Sequence, residues 1–333
     1  MDDALVSLWE KPEAKEIYMI AGWHQWADAG AISSGLPLYL IHKTDARKIG
    51  EIKDDGFYLF QLPGAHHFLR PEIQLEEGYR KSLKKPQNEI YYTGDEEKGL
   101  IIFLGEEPHI RADRYAEALL NAARQLGVKR VTALGGVYGA IPYDQDREVS
   151  CVYSMPYMKQ ELNRYAVRFS DYEGGTTIGT YLVDAAENEG VEFLVFYAFV
   201  PAYNFSEVSD LVQAISIEHD FKAWYDVMRR INHMFELEID LSELEEQSYE
   251  LMVSMDAKID ELDEQMPDLD VRSYMEEIAD DFEAHPFVPP LSEVWGKALD
   301  NLLRDKDEAA DEDADEGDDE RDDEDTEAGT ESD

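Results

Sequence analysis

The sequence predicts a layered α/β domain built on a largely parallel or mixed sheet, followed by a helical hairpin. Three observations predict it. Short apolar runs alternate with amphipathic stretches through the first two-thirds of the chain, the pattern of strands crossed by helices. Each apolar run empties into a turn rich in glycine or polar residues. After Tyr203 the strand-like runs stop, and apolar residues recur at helical spacing.

Taken in order, residues 17–22 form the first apolar run, continuous enough for a strand buried on both faces. Asp28 then stands before Ala29, Gly30 and Ala31 as the N-cap of a helix, its carboxylate placed to accept backbone N–H groups. Pro37 falls inside that helix and should kink or delay it, because proline removes a backbone donor. Residues 48–52, 57–60 and 89–93 are shorter β candidates. Residues 101–104 make the second buried strand. In residues 111–127, Tyr115, Ala118, Leu119, Ala122 and Leu126 share one helical face, and Gly127 is placed to end the helix. Residues 130–134 read as a third buried strand. Thr176 or Thr177 opens a helix whose inner face is Ile178, Leu182, Ala185 and Ala186. Residues 192–200 supply the fourth strand.

Beyond Tyr203, Phe221, Trp224, Tyr225, Met228, Ile231 and Phe235 trace one helical face. Leu244, Leu251, Met255, Ile259, Leu262 and Met266 trace another, at a spacing nearer 3.6 than a heptad. Pro267 breaks this helix, and Asp270 is placed to cap the next. The expected organisation is an α/β core over residues 1–236 and a helical extension packed on it over 237–303. An acidic tail over 304–333 is too poor in apolar residues to fold.

Charge narrows the function. The chain carries 75 acidic and 30 basic side chains, a net charge of −45. Residues 304–333 hold 18 acidic and 3 basic of these, so the body is strongly acidic even without its tail. Such a body repels itself in dilute salt and suits a salt-loving cytoplasm, where the Debye length shrinks to ~3 Å near 1 M. Nucleic acid and anionic membranes are disfavoured as partners, since both select concentrated Lys and Arg. Cys151 is the single cysteine, so no intrachain disulfide can form. The first residues lack the basic and apolar regions of a signal peptide, and no apolar run reaches the ~20 residues of a spanning helix. A soluble, cytoplasmic chain is expected.

In an open α/β sheet, ligands collect outside the carboxyl ends of the strands. The turns expected there are GWHQWADAG (residues 22–30), GEEPHIRADRY (105–115), LGGVYGAIPYD (134–144) and PAYNFS (201–206). A further glycine-rich turn, DYEGGTTIG (171–179), precedes the Thr177 helix. If these share a rim, its candidate ligand or partner contacts are Trp23, His24, Trp26, Asp28, Glu106, His109, Arg111, Gly136, Tyr138, Thr176, Thr177 and Tyr203. None is assigned a catalytic role. The serines Ser33 and Ser34 near His24 and Asp28 lack the G-x-S-x-G elbow of a hydrolase. No glycine turn carries the Lys-Ser/Thr of a phosphate loop. His66 and His67 are adjacent and no H-x-x-x-H or H-E-x-x-H occurs, so no metal is expected, and no cofactor. The two tryptophans offer large contact area with one donor each, a composition suited to packing and recognition.

These turns, in this order, resemble the proteasome assembly chaperone two family, in its longer prokaryotic and archaeal branch. The matching stretches are Gly22 to Gly30, Phe60-Gln61, Arg70-Pro71, residues 105–115, Leu126-Gly127-Val128 to Gly136, residues 172–179 and Val200 to Tyr203, with the helical hairpin beyond. The resemblance implies a three-layer α/β/α domain similar to the phosphorylase and hydrolase architecture. It also implies self-association into rings or small oligomers, a trimer among them, and a chaperone role toward proteasome α subunits. The last residues, Thr330 to Asp333, lack the hydrophobic-Tyr-any ending that some archaeal relatives dock into proteasome pockets, so a body surface is the expected contact. The competing expectation is a hydrolase, phosphorylase or ligase working at the rim through His24, Asp28, Glu106 and His109.

Overall fold

The computed structural model describes residues 5–61, 70–204, 215–267 and 270–288. In chain order the elements are β1 (Val6–Leu8), β2 (Glu16–His24), α1 (Gly35–Lys43), β3 (Arg47–Ile52), β4 (Glu72–Glu76), β5 (Tyr79–Lys84), β6 (Glu89–Gly94), β7 (Lys98–Glu106) and α2 (Ala112–Gln125). They continue with β8 (Val128–Gly139), β9 (Val149–Tyr153), α3 (Met158–Leu162), β10 (Arg168–Phe169), α4 (Ile178–Glu189), β11 (Glu192–Tyr203) and β12 (Ile215–Ser216). Three helices close the list: α5 (Phe221–Phe235), α6 (Ser242–Gln265) and α7 (Val271–Asp281).

The four apolar runs become the centre of one sheet, in the order β1-β3-β6-β7-β2-β8-β11-β9-β10. β7, β2, β8 and β11 are mutually parallel. β3, β6 and β9 join antiparallel, so the sheet is mixed. β2 shows why the central strands read as unbroken apolar runs. Alternation sends Met19, Ala21 and Trp23 to one face and Ile20 to the other, and both faces are covered. On the first face Ile101, Phe103, Val131, Ala133, Phe193 and Val195 pack with α2 and α4. On the second, Ile102, Leu134, Leu194, Phe196 and Val200 pack with α1 and α5; α6 lies on α5, and α7 on α6. The three layers expected from the resemblance are present.

Local chemistry sets the helix ends. Gly127, at φ 68°, takes the left-handed conformation just past α2 that an L side chain resists. Thr177 caps α4 through its hydroxyl, which accepts the Thr180 N–H at 3.1 Å. Pro37 sits in the first turn of α1, where no intrahelical partner exists for an N–H. A 3₁₀ turn over Ala29–Ala31 precedes the helix, so the proline delays α1 rather than kinking it.

Two expectations need correction. Residues 57–60 are not a strand. The Phe57 carbonyl accepts the N–H groups of His109 (2.9 Å) and Ile110 (3.2 Å), bonds that a ladder would have needed. Asp270 precedes α7 but in the left-handed region, and its carboxylate accepts the Ser273 hydroxyl (2.8 Å) instead of capping a backbone N–H. The sequence reading also missed β1, β9 and the β4–β5 hairpin. That hairpin turns at Glu77-Gly78 and leaves Ile73, Leu75 and Tyr79 exposed.

The layer beneath α5 holds a buried charged network. Arg147 is 1% exposed and grips Asp220 by a fork, Nε to Oδ2 at 2.8 Å and Nη2 to Oδ1 at 3.3 Å. Its Nη1 donates to the Tyr143 and Gln145 carbonyls. Asp220 in turn accepts the Ala223 N–H as the cap of α5. Asp226 accepts the Arg147 N–H (2.8 Å) and pairs with Lys222 one turn away at 2.7 Å. Burial pushes the Asp226 carboxyl up, and Lys222 holds it down.

Met1–Phe287 forms one compact unit containing all these elements; a second spans Val288–Asp333, of which only Val288 is described. The segment after residue 288 and the acidic tail, like His66 and His67, lie outside the described residues. No helix among the described residues is long and apolar enough to cross a membrane.

Candidate functional site

The loop leaving β2 carries the first-noticed motif, and three devices fix it. Gly136 N–H donates to the Ala27 carbonyl at 2.9 Å, and Asp28 pairs with Gly136 as one more parallel rung. Only glycine permits this approach, since a Cβ at residue 136 would lie 2.0 Å from the Ala29 carbonyl oxygen. The Asp28 carboxylate then accepts the N–H of Ser33 (2.7 Å) and of Ser34 (3.0 Å), and the Ser34 hydroxyl (2.6 Å). It thus binds backbone donors as expected, but beyond the 3₁₀ turn, at the entry to α1. Third, Glu107 bridges two segments: one carboxylate oxygen accepts the Trp26 N–H (3.0 Å) and the other the Ile178 N–H that begins α4 (3.2 Å).

Burial pushes the Asp28 carboxyl up, against the pull of its Ser33 and Ser34 bonds. A carboxyl raised on folding contributes fully below its unfolded titration point, and that contribution is lost as pH rises through the folded one. Asp28→Ala is therefore expected to cost about 1–2 kcal/mol and to cost more near pH 4 than near pH 7, read from urea denaturation at both values. An equal cost at both would contradict the burial.

Between this loop, the ends of β8 and β11, β9, and the segment before α4 lies a cavity of about 590 Å³. Trp26, Gly136, Tyr138, Thr176 and Thr177 line it, bringing together residues drawn from three separate turns. Tyr172, Tyr197 and Phe199 join them, with Ser150, Val152 and Thr180. Trp26 is 73% exposed, Tyr172 68% and Tyr138 53%, so three rings stand open at one site. Tyr197 is a hydrogen-bonded part of the wall. Its hydroxyl bonds Thr180 Oγ1 at 2.7 Å and also Thr177 Oγ1. Burial pushes its phenol up, the two threonines pull it down, and Glu107 adds a repulsive charge.

The other candidates are placed elsewhere. Trp23 is 0% exposed, its indole N–H donating to the Tyr115 hydroxyl at 2.9 Å and its ring 5.6 Å from Phe103. It belongs to the core, because residue 23 faces α2 in the strand alternation, and its place on the rim is corrected. Tyr203 is likewise buried, and its hydroxyl donates to the Ile141 carbonyl (2.7 Å). His24 and Glu106 face each other across paired strands at 3.5 Å, partly exposed. Burial raises the Glu106 carboxyl while His24 and Lys84 lower it. His109 stands apart from that pair in role: its Nδ1 accepts the Leu59 N–H (2.9 Å), and burial lowers its titration point. Arg111 donates to the Asp55 carbonyl (2.6 Å) and carboxylate (3.1 Å). Ser33 and Ser34 are buried, and Ser33 Oγ accepts the Trp23 N–H at 2.9 Å, so neither hydroxyl stands beside His24 as a nucleophile. Among the described residues no group of three His, Cys, Asp or Glu could hold a metal ion.

The family model described as the PAC2 family matches residues 20–259. The chain belongs to the PAC2 family. Among solved structures it is similar to a PAC2 family protein of Streptomyces avermitilis, at 26% identity over 78% of this chain and 99% of that one, with a TM-score of 0.62. It is also similar to a proteasome-assembly chaperone homologue of Mycobacterium tuberculosis (22% identity, 72% and 94% covered, TM-score 0.61). A third is Pyrococcus furiosus PbaB, an archaeal proteasome activator (18%, 77% and 98%, TM-score 0.54). The last two likenesses are of fold alone. No curated protein matches the chain. The family match includes the β2 loop, the cavity and most of α6.

Tyr172, Tyr197, Phe199 and Glu107 are among the site residues absent from the candidate set. Tyr197 and Phe199 sit inside an apolar strand, and only the register of β11 on β8 turns them toward the cavity. Glu107 reads as half of an acidic pair. The offset that could have singled it out is its place one residue past the strand end, level with the Trp26 turn.

Proposed function

We propose that this chain is a non-enzymatic protein-binding factor of the proteasome-assembly kind, cytoplasmic and working as a homo-oligomer, with proteasome α subunits as its partners. The observation that carries this reading is the PAC2 match over residues 20–259. Two neighbours in fold point the same way, one named a proteasome-assembly chaperone homologue and the other a proteasome activator.

The site's chemistry supports recognition over catalysis. Exposed aromatic rings flank a cavity on a rigid frame, the arrangement favoured at binding hot spots. Several reactive side chains nearby are already engaged: the serines hold the β2 loop, His109 holds Leu59, and Arg111 holds Asp55. The acidic character of the chain disfavours nucleic acid and anionic membranes as partners. The α/β core, helical extension and acidic tail stay as the proposed division of the chain.

Affinity capture from a high-salt lysate tests the reading. The tagged chain is expected to retain proteasome α subunits, and size-exclusion with light scattering to give a mass above the 38.1 kDa monomer. Retention of no proteasome subunit above an untagged background would remove the partner. A monomer at working concentration would remove the oligomer.

A further inference from the structure

The cavity has a chemical character that its place in a protein-binding site does not account for. No Lys, Arg, Asp, Glu or His side chain lines it; the wall is aromatic rings, small aliphatics and hydroxyls. That disfavours two ligand classes. A metal ion needs anionic or imidazole ligands, and the wall offers none. A phosphate or carboxylate at the start of α4 would meet the Glu107 carboxylate, which already holds the Ile178 N–H, while Thr177 holds that of Thr180.

Acidic side chains flank the wall in the sequence. Glu107 stands between the Trp26 loop and α4, close enough to act on the Tyr197 hydroxyl. Asp171 and Glu173 flank Tyr172 and are exposed. Arg168, the nearest basic residue before this segment, is paired with Glu148 at 3.1 Å. Aromatic faces present negative charge and attract cations that shed water easily. A negative field with no competing basic group in the wall therefore selects positive over neutral guests.

We propose that the cavity binds a small organic cation, a free quaternary or methylated ammonium ion, held among the rings of Trp26, Tyr138 and Tyr172. The about 590 Å³ of space lies in the range of small-molecule sites. The Ser150 hydroxyl also lines the cavity, whereas those of Thr176 and Thr180 are bonded to the Thr177 carbonyl and the Tyr197 hydroxyl. Binding of this kind needs no proteasome partner and is read on the isolated full chain.

Isothermal titration calorimetry, at a salt concentration where the chain is folded, tests it with three probes. Choline is expected to bind saturably at one site per chain. Its uncharged isostere, 3,3-dimethylbutan-1-ol, is expected to bind at least about tenfold more weakly, the loss of the charge–ring attraction. Acetylated and amidated trimethyllysine is expected to bind no better than choline. Trp26→Ala and Tyr172→Ala should each weaken choline by about fivefold or more, with circular dichroism and melting unchanged because both rings are exposed. Equal affinity for choline and the alcohol would overturn the proposal. So would the absence of saturable heat up to about 50 mM, beyond the weak end of specific affinity. Tenfold tighter binding of the lysine derivative would replace the free ion with a polypeptide side chain. Failure to capture proteasome subunits would leave these results unaffected, so the two tests fail independently.

Discussion

Replacing Arg147 by alanine is expected to remove about 3–5 kcal/mol of stability, a large fraction of the 5–15 kcal/mol typical of a folded domain. The side chain is sealed from water, as is its partner Asp220. Truncation leaves that carboxylate buried without its cation, and strips donors from the Tyr143 and Gln145 carbonyls. It also disturbs the cap of α5, because Asp220 holds the Ala223 N–H. Lysine should recover only part of the loss, since an ammonium cannot reproduce the planar fork. Arg168→Ala is the control: its pair with Glu148 is exposed on the arginine side, and such pairs are worth about 0–1 kcal/mol. Urea denaturation midpoints decide the matter. If Arg147→Ala shifts the midpoint no more than Arg168→Ala, the network is not the structural clamp described here.

The second large effect separates two tryptophans three residues apart. Trp23→Ala is expected to cost about 3–5 kcal/mol, because it empties a sealed site against Phe103 and unpairs the Tyr115 hydroxyl. Trp26→Ala is expected to stay within about 0.5 kcal/mol, since that ring is 73% exposed and Trp26 holds its loop through its backbone N–H. Thermal or urea unfolding of the two variants checks the contrast. Comparable losses at both positions would mean that Trp26 is packed, and the cavity would lose its open ring.

That contrast shows what could be read from residues alone. Period and apolarity located the four parallel strands, since a strand covered on both faces has no polar side to confuse the signal. Helix ends were legible where chemistry is local, at Thr177 and Gly127. The first motif was harder. In GWHQWADAG the strand still continues through Trp23 and His24, so alternation, not composition, sends one tryptophan inward and leaves the other on the loop. Residues 57–60 misled because Phe57 is apolar for packing, not for pleating. The β4–β5 hairpin escaped notice because it buries nothing, leaving its exposed aliphatics without the alternation of a half-covered strand. The cavity was only half legible: its turns announced themselves, whereas Tyr197 and Phe199 needed strand register.

The two borders of the main sheet carry one last consequence. β1 spans three residues and β10 two, and these are the outermost strands in its order. A neighbouring copy arriving there meets almost no length of open backbone to splice onto. Along these two borders crowded molecules therefore find little backbone to extend, and an assembly made there must be joined through side chains, with a geometry that point substitutions can undo.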